Sequence, residues 1–215
     1  MARTFNGTSH YIEATSAVVS AVPITMACWF LPNNVTSSYV LIGISEFASL
    51  ARHQLAVSGA VAGDPVRVAS VNSAGTSGVA ATSTGYTAGV WHHACGVWAS
   101  DSSRSVYLNG GGDGTDTTAV SPASLNRTAI GAGRFVSTTN TPFAGSIARV
   151  GIWSAALTAG EIASLAKGFC PCMIRPQSLV FFAPLLGAAA DLRGGLTLTD
   201  TGTTAADHPR IILPT

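Results

Sequence analysis

Short apolar or alternating segments recur along this chain between turn signals, which is the spacing of an antiparallel β-sandwich. Residues 24–31, framed by Pro23 and Pro32, form the clearest segment; residues 39–44, 54–57, 66–71, 91–98, 105–109, 129–131 and 146–153 follow it. Between Asn72 and Gly89 the chain is nearly all Ser, Ala, Gly and Thr, which predicts one weak strand with loops on either side. Residues 143–167 change hydrophobic period midway. Ile147, Val150, Ile152 and Trp153 read as a strand, whereas Thr158-Ala-Gly-Glu161 has the spacing of a capping box ahead of Ile162 and Leu165 on one face. Gly168 follows where a left-handed residue ends a helix, so the pattern predicts one short helix over 158–167.

After Gly168 the character of the chain changes to a Cys-Pro-Cys turn, Arg175-Pro176, a final apolar strand over 178–186 and a Gly/Ala/Asp/Thr stretch. The chain therefore divides into a sandwich over 1–168 and an extension over 169–215. Asp207-His-Pro-Arg-Ile-Ile-Leu-Pro-Thr215 ends the extension; its prolines favour an extended arm, packed on its own domain or on a neighbouring subunit.

Composition removes several function classes. Of 215 residues only 10% are charged and the formal net charge is +1, so there is no basic field for nucleic acid. The longest apolar run, 179–190, is broken by Pro184 and Gly187 and is too short to span a bilayer. No secretory signal is visible behind Arg3. Lys167 is the only lysine, so nearly all positive charge is arginine, which suits fixed planar contacts or reflects a GC-rich genome. A surface short of charge suits a subunit that buries much of itself in an assembly, with a homo-oligomer, specifically a trimer, as the expectation.

Candidate chemistry is sparse. Cys28 and Cys95 lie in apolar segments and read as small buried hydrophobes, while Cys170 and Cys172 lack the second ligand pair of a closed metal site. On a strand His92 and His93 face opposite ways, one inward and one to solvent, and do not chelate jointly. Trp29, Trp91, Trp98 and Trp153 divide between core packing and stacking on sugars, with core the first expectation. Asn-x-Ser/Thr triplets begin at Asn6, Asn34 and Asn126.

Three blocks resemble the laminin-G-like, concanavalin A-like jelly roll. Phe5-Asn-Gly-Thr-Ser-His-Tyr-Ile-Glu13 with Ile24-Thr-Met-Ala-Cys-Trp-Phe30 is similar to the family's opening hairpin and Trp-bearing strand. Trp91-His-His-Ala-Cys-Gly-Val-Trp98 with Val106-Tyr-Leu-Asn-Gly110 resembles its paired strands and Asn-Gly turn. Ile130-Gly131, Phe143-x-Gly145-x-Ile147, Trp153, Leu157 and Glu161-Ile162 resemble its closing strands and helix. The resemblance implies an all-β, two-sheet antiparallel jelly-roll sandwich with function in the rim loops.

It also implies chemistry to weigh. Family members often bind calcium at the sandwich rim, and Asp113 and Asp116 in the Gly-rich segment after Asn109 are the candidate ligands, although two carboxylates fall short of calcium's shell and turns use the same residues. Glycosidase action needs paired acids; the only glutamates are Glu13, Glu46 and Glu161, and no strand carries two acids at alternating positions, so no enzyme is expected. The bare domain with a short apolar extension resembles bacteriophage virion proteins. That implies a non-enzymatic capsid decoration, head-fibre or tail-associated subunit on the virion, binding major capsid or tail proteins and touching host-surface glycans. Residues after Cys170 would then anchor it, with 73–85 and 110–118 facing outward. The alternative is a lectin-like carbohydrate-binding module of a bacterial surface or secreted system, with rim loops and calcium making the contacts.

Overall fold

A computed structural model describes residues 1–207, and the alternating segments become strands in it. They are β1 (Ala2–Asn6), β2 (Tyr11–Ala14), β3 (Ile24–Pro32), β4 (Ser38–Ser45), β5 (Arg52–Ser58), β6 (Pro65–Val71), β7 (Ser77–Gly85), β8 (His92–Ser100) and β9 (Ser103–Leu108). There follow β10 (Gly111–Asp116), β11 (Arg127–Ile130), β12 (Gly133–Phe135), β13 (Thr138–Asn140), β14 (Ala144–Trp153), helix α1 (Ala159–Ala166), β15 (Leu179–Ala183), β16 (Thr199–Thr201) and β17 (Thr204–Ala206). The first sheet runs β10-β9-β8-β3-β14-β1-β17, with β15 also on β14; the second runs β16-β2-β11-β4-β5-β6-β7. Strands β12 and β13 make a separate hairpin. This is the expected two-sheet antiparallel sandwich with one short helix.

The inner faces supply the main core. Met26, Cys28, Phe30, Ile147 and Ile152 from the first sheet meet Ile12, Ile42, Ile44, Leu55 and Val68 from the second, all fully buried. Trp98 lies inside this layer, edge-on to His53 with ring centroids 5.6 Å apart. A second apolar layer covers the outside of the first sheet. There Ile162 and Leu165 of α1 join Ile174 and Leu179 over Ala27, Cys95, Val97 and Trp153. Helix α1 starts as anticipated: Thr158 accepts from the Glu161 N–H while the Glu161 carboxylate accepts from the Thr158 N–H at 2.7 Å.

Three expectations need correction. Both His92 and His93 are buried, because the outer face toward which His93 points is roofed by α1 and the following segment. The Gly-rich residues after Asn109 are not an outward rim loop but strand β10, laid against β7 to seal one edge between the sheets. Glycine is required there: a Cβ on Gly114 would run into the Ala81 carbonyl. Segments 73–85 and 110–118 thus spend much of their length on each other. Cys170 and Cys172, whose state the sequence left open, form a disulfide with each other, around Pro171.

The residues after 168 add three strands rather than one, since β15 pairs with β14, β16 with β2 and β17 with β1. One short segment therefore extends both sheets, and Arg3 of β1 pairs with Asp200 of β16 across that edge. The apolar arm expected over 207–215 lies outside the described residues beyond Asp207.

Candidate functional site

Asp113 and Asp116, the calcium candidates, stand in different surroundings on β10. Asp116 pairs with the Arg104 guanidinium, whose side chain is 0% exposed, and also accepts from the Thr118 hydroxyl at 2.9 Å. Arg104 further donates to the carbonyls of Asp101 and Thr118 at 2.7 and 2.8 Å, so Asp116 is the counter-charge of a buried cation. Asp113 is exposed on the bulged stretch of β10. Among the described residues no group of three or more His, Cys, Asp or Glu side chains is placed to hold a metal. The three glutamates are also engaged: Glu13 with Arg134, Glu46 with the Ala48 N–H and Asn126, and Glu161 with Arg175 and the helix cap.

Of the tryptophans, Trp98 and Trp153 are core. Trp153 donates from its indole N–H to the Ile174 carbonyl at 2.8 Å, pinning the extension to the first sheet. Trp29 and Trp91 are half-buried. The glycosylation-type asparagines have local structural duties. Asn6 caps the N–H groups of Thr8, Ser9 and His10, Asn34 that of Thr36, and Asn126 that of Phe47.

Arginine and aromatic residues gather instead on the outer face of the second sheet. Arg127 and Arg52 both pair with Ser45, so alternation places the two arginines on the same face of neighbouring rows. Arg134 of β12 reaches over this face, its guanidinium carbon 4.4 Å from the Tyr11 ring centre and 5.2 Å from that of Phe47. Arg127 sits 4.7 Å over the other partner of that pair, Phe47, and Arg52 4.0 Å over Phe135. Glu13 accepts from Arg134 Nε at 2.9 Å and lies 4.0 Å from Arg127 Nε, while Arg52 is held by neutral groups, the Gln54 side chain at 2.9 Å and the Leu50 carbonyl at 2.7 Å. Burial pushes the Arg52 pKa below its ordinary value.

Chemically the face offers planar N–H donors, one carboxylate and an amide beside aromatic rings. That combination suits hydroxyl-rich ligands with apolar ring faces. The sequence carried a partial signal for it in the dominance of arginine over lysine; the partner rings were hidden because Phe47 and Phe135 come from a loop and a hairpin remote from the strands they cover.

A family model described as the concanavalin A-like lectin/glucanases superfamily matches residues 6–163. No curated protein gives a significant match. Among solved structures, the heptameric SAP-like pentraxin from Limulus polyphemus superposes with a TM-score of 0.64 at 16% identity, covering 77% of this chain and 81% of that one. Domain 4 of AbnA, an extracellular arabinanase from Geobacillus stearothermophilus in complex with arabinotriose, gives 0.60 at 22% identity over 77% of this chain and 76% of that one. The CBM40 of Ruminococcus gnavus IT-sialidase bound to α2,3 sialyllactose gives 0.59 at 12% identity over 77% and 98%. At these identities the likeness is one of fold, and it agrees with the family match, which spans most of the chain: the protein belongs to the concanavalin A-like lectin/glucanases superfamily.

Proposed function

We propose that this protein is a non-enzymatic carbohydrate-recognition module that holds a glycan on the outer face of its second sheet. The observation that carries the reading is the cluster of Arg52, Arg127 and Arg134 on Tyr11, Phe47 and Phe135, which presents donors and ring faces together. Structural neighbours crystallised with arabinotriose and sialyllactose support it. The engaged glutamates support the absence of catalysis, because each carboxylate already has a partner. A Cys170–Cys172 disulfide suits a bacterial surface or secreted setting, where such bonds persist.

The virion reading rests on the resemblance of the bare domain to phage proteins and gains no support from the comparisons, whereas the lectin-like alternative does. A glycan array run with and without chelator tests the proposal. Binding that survives chelation and falls at least about tenfold in Arg52→Ala and Arg134→Ala supports it, a loss of ~1.4 kcal/mol per variant. Unchanged binding in both variants moves the site elsewhere, and a chelator-sensitive signal lost in Asp113→Asn restores the calcium reading.

A further inference from the structure

We propose that a crevice on the outer face of the first sheet, between Trp29, His93 and Arg149, is a site for the carboxylate of an acidic sugar such as a uronic or sialic acid. The inference rests on the carbohydrate-recognition reading but concerns a different face of the molecule.

The crevice exists because β14 bulges. Its register against β3 shifts between Ala148 and Gly151, and Arg149 takes the left-handed φ of 52° that lets its side chain join Ala148 on the outer face. Trp29 pairs with both Ala148 and His93, so all three project the same way. Leu165, Phe169 and Pro171 complete the wall, which ties the crevice to α1 and to the disulfide-bonded turn.

What marks the crevice is a buried guanidinium with two unpartnered nitrogens. Arg149 is only 5% exposed, yet its Nε and Nη1 have no hydrogen-bond partner, and no carboxylate pairs with it among the described residues. Arg104, also buried, has by contrast Asp116 and two carbonyls. Burial lowers the Arg149 pKa only to about 10, so it is charged at neutral pH. His93, 2% exposed, has a second unpartnered polar atom, Nδ1, in the same crevice. Burial drives its pKa down to about 3, so it is neutral, and its Nδ1–H tautomer would add a donor beside the guanidinium.

A carboxylate matches the planar guanidinium fork, and the half-buried Trp29 indole, edge-on to His93 with centroids 5.5 Å apart, offers an apolar surface to a sugar ring. Because the crevice is narrow, entry requires the Trp29 edge to move, which makes that indole the reporter.

The test titrates glucuronate and N-acetylneuraminate into the full chain, with glucose and inorganic sulfate as controls, following tryptophan fluorescence and the His93 ring resonances. We expect the acidic sugars to bind with Kd of about a millimolar, at least about tenfold more weakly in Arg149→Gln, and glucose and sulfate to leave both signals unmoved. Trp29→Ala, at a half-buried position, is expected to weaken glucuronate by removing the apolar surface under the sugar ring. Equal affinity of wild type and folded Arg149→Gln for the acidic sugars overturns the assignment, as does sulfate binding as tightly as glucuronate, which would make this a general anion site. If neutral glycans bind in an Arg52-dependent way and no acidic sugar perturbs Trp29 or His93, this inference falls alone; if no glycan binds at all, it falls with the reading beneath it.

Discussion

Arg104 and Asp116 show how little a motif says about the job of a side chain. In the sequence Asp116 belonged to a Gly-rich segment suited to calcium; in the folded chain it neutralises a guanidinium that strand β9 carries into the seam between the sheets. Asp116→Asn leaves that charge buried without its counter-ion, and the expected loss is about 3 kcal/mol of unfolding free energy, read by urea denaturation. Calcium is not expected to restore the loss. Arg104 was invisible as a buried residue because arginine on a short strand is ordinarily solvated, and nothing local in Ser103–Leu108 announces that β7 covers it. The outcome for His92 and His93 has the same origin. Alternation predicted opposite faces correctly, but which faces are covered is decided by α1, far along the chain.

Helix α1 was legible almost to the residue, because its signals are local: the Thr158 cap, the Glu161 return bond and Gly168 with φ 95° beyond the last turn. Thr158→Ala removes one side of the capping box and is expected to cost about 1 kcal/mol, measured as a lowered thermal midpoint. The Asn109-Gly110 turn was equally legible, and both residues adopt left-handed φ, 54° and 80°. Its second role could not be read locally. Asn109 accepts from the His93 N–H at 2.8 Å, and a Cβ on Gly110 would come within 3.1 Å of Ala163 and Ala166 of the helix. Gly110→Ala therefore combines backbone strain with displacement of α1, and about 1–2 kcal/mol of destabilisation is expected by denaturant titration. Strand β10 escaped detection for the opposite reason, since its glycines serve close approach to β7 rather than a turn.

For the molecule as a whole, buried neutral histidines set the response to acid. His53, 2% exposed and bonded through Nδ1 to the Ser70 hydroxyl at 3.0 Å, has its pKa lowered by burial from 6.5 to about 4. His93 is lowered likewise to about 3. Below pH 6.5 the unfolded chain binds protons that the folded chain refuses, so stability present in full above that value is lost as the pH falls toward 4. The slope is at most about 1.4 kcal/mol per pH unit for each histidine. Urea denaturation at pH 7 and 4.5 is expected to differ by several kcal/mol, and His53→Gln to flatten the dependence by about half. The sandwich itself was legible because alternation and turn residues repeat along the whole chain; the arginine–aromatic face was not, because it assembles from β2, β11, β5, a loop and the β12–β13 hairpin. The closing edge has a mechanical consequence. Strands β1 and β17 are antiparallel, with Ala2 opposite Ala206, so the first and last described strands meet at their outer ends. A pull applied at Ala2 and Ala206 would peel that ladder one rung at a time instead of shearing it as a block. If the module tethers a glycan under load, the force is better borne through a loop than through this pair of strands.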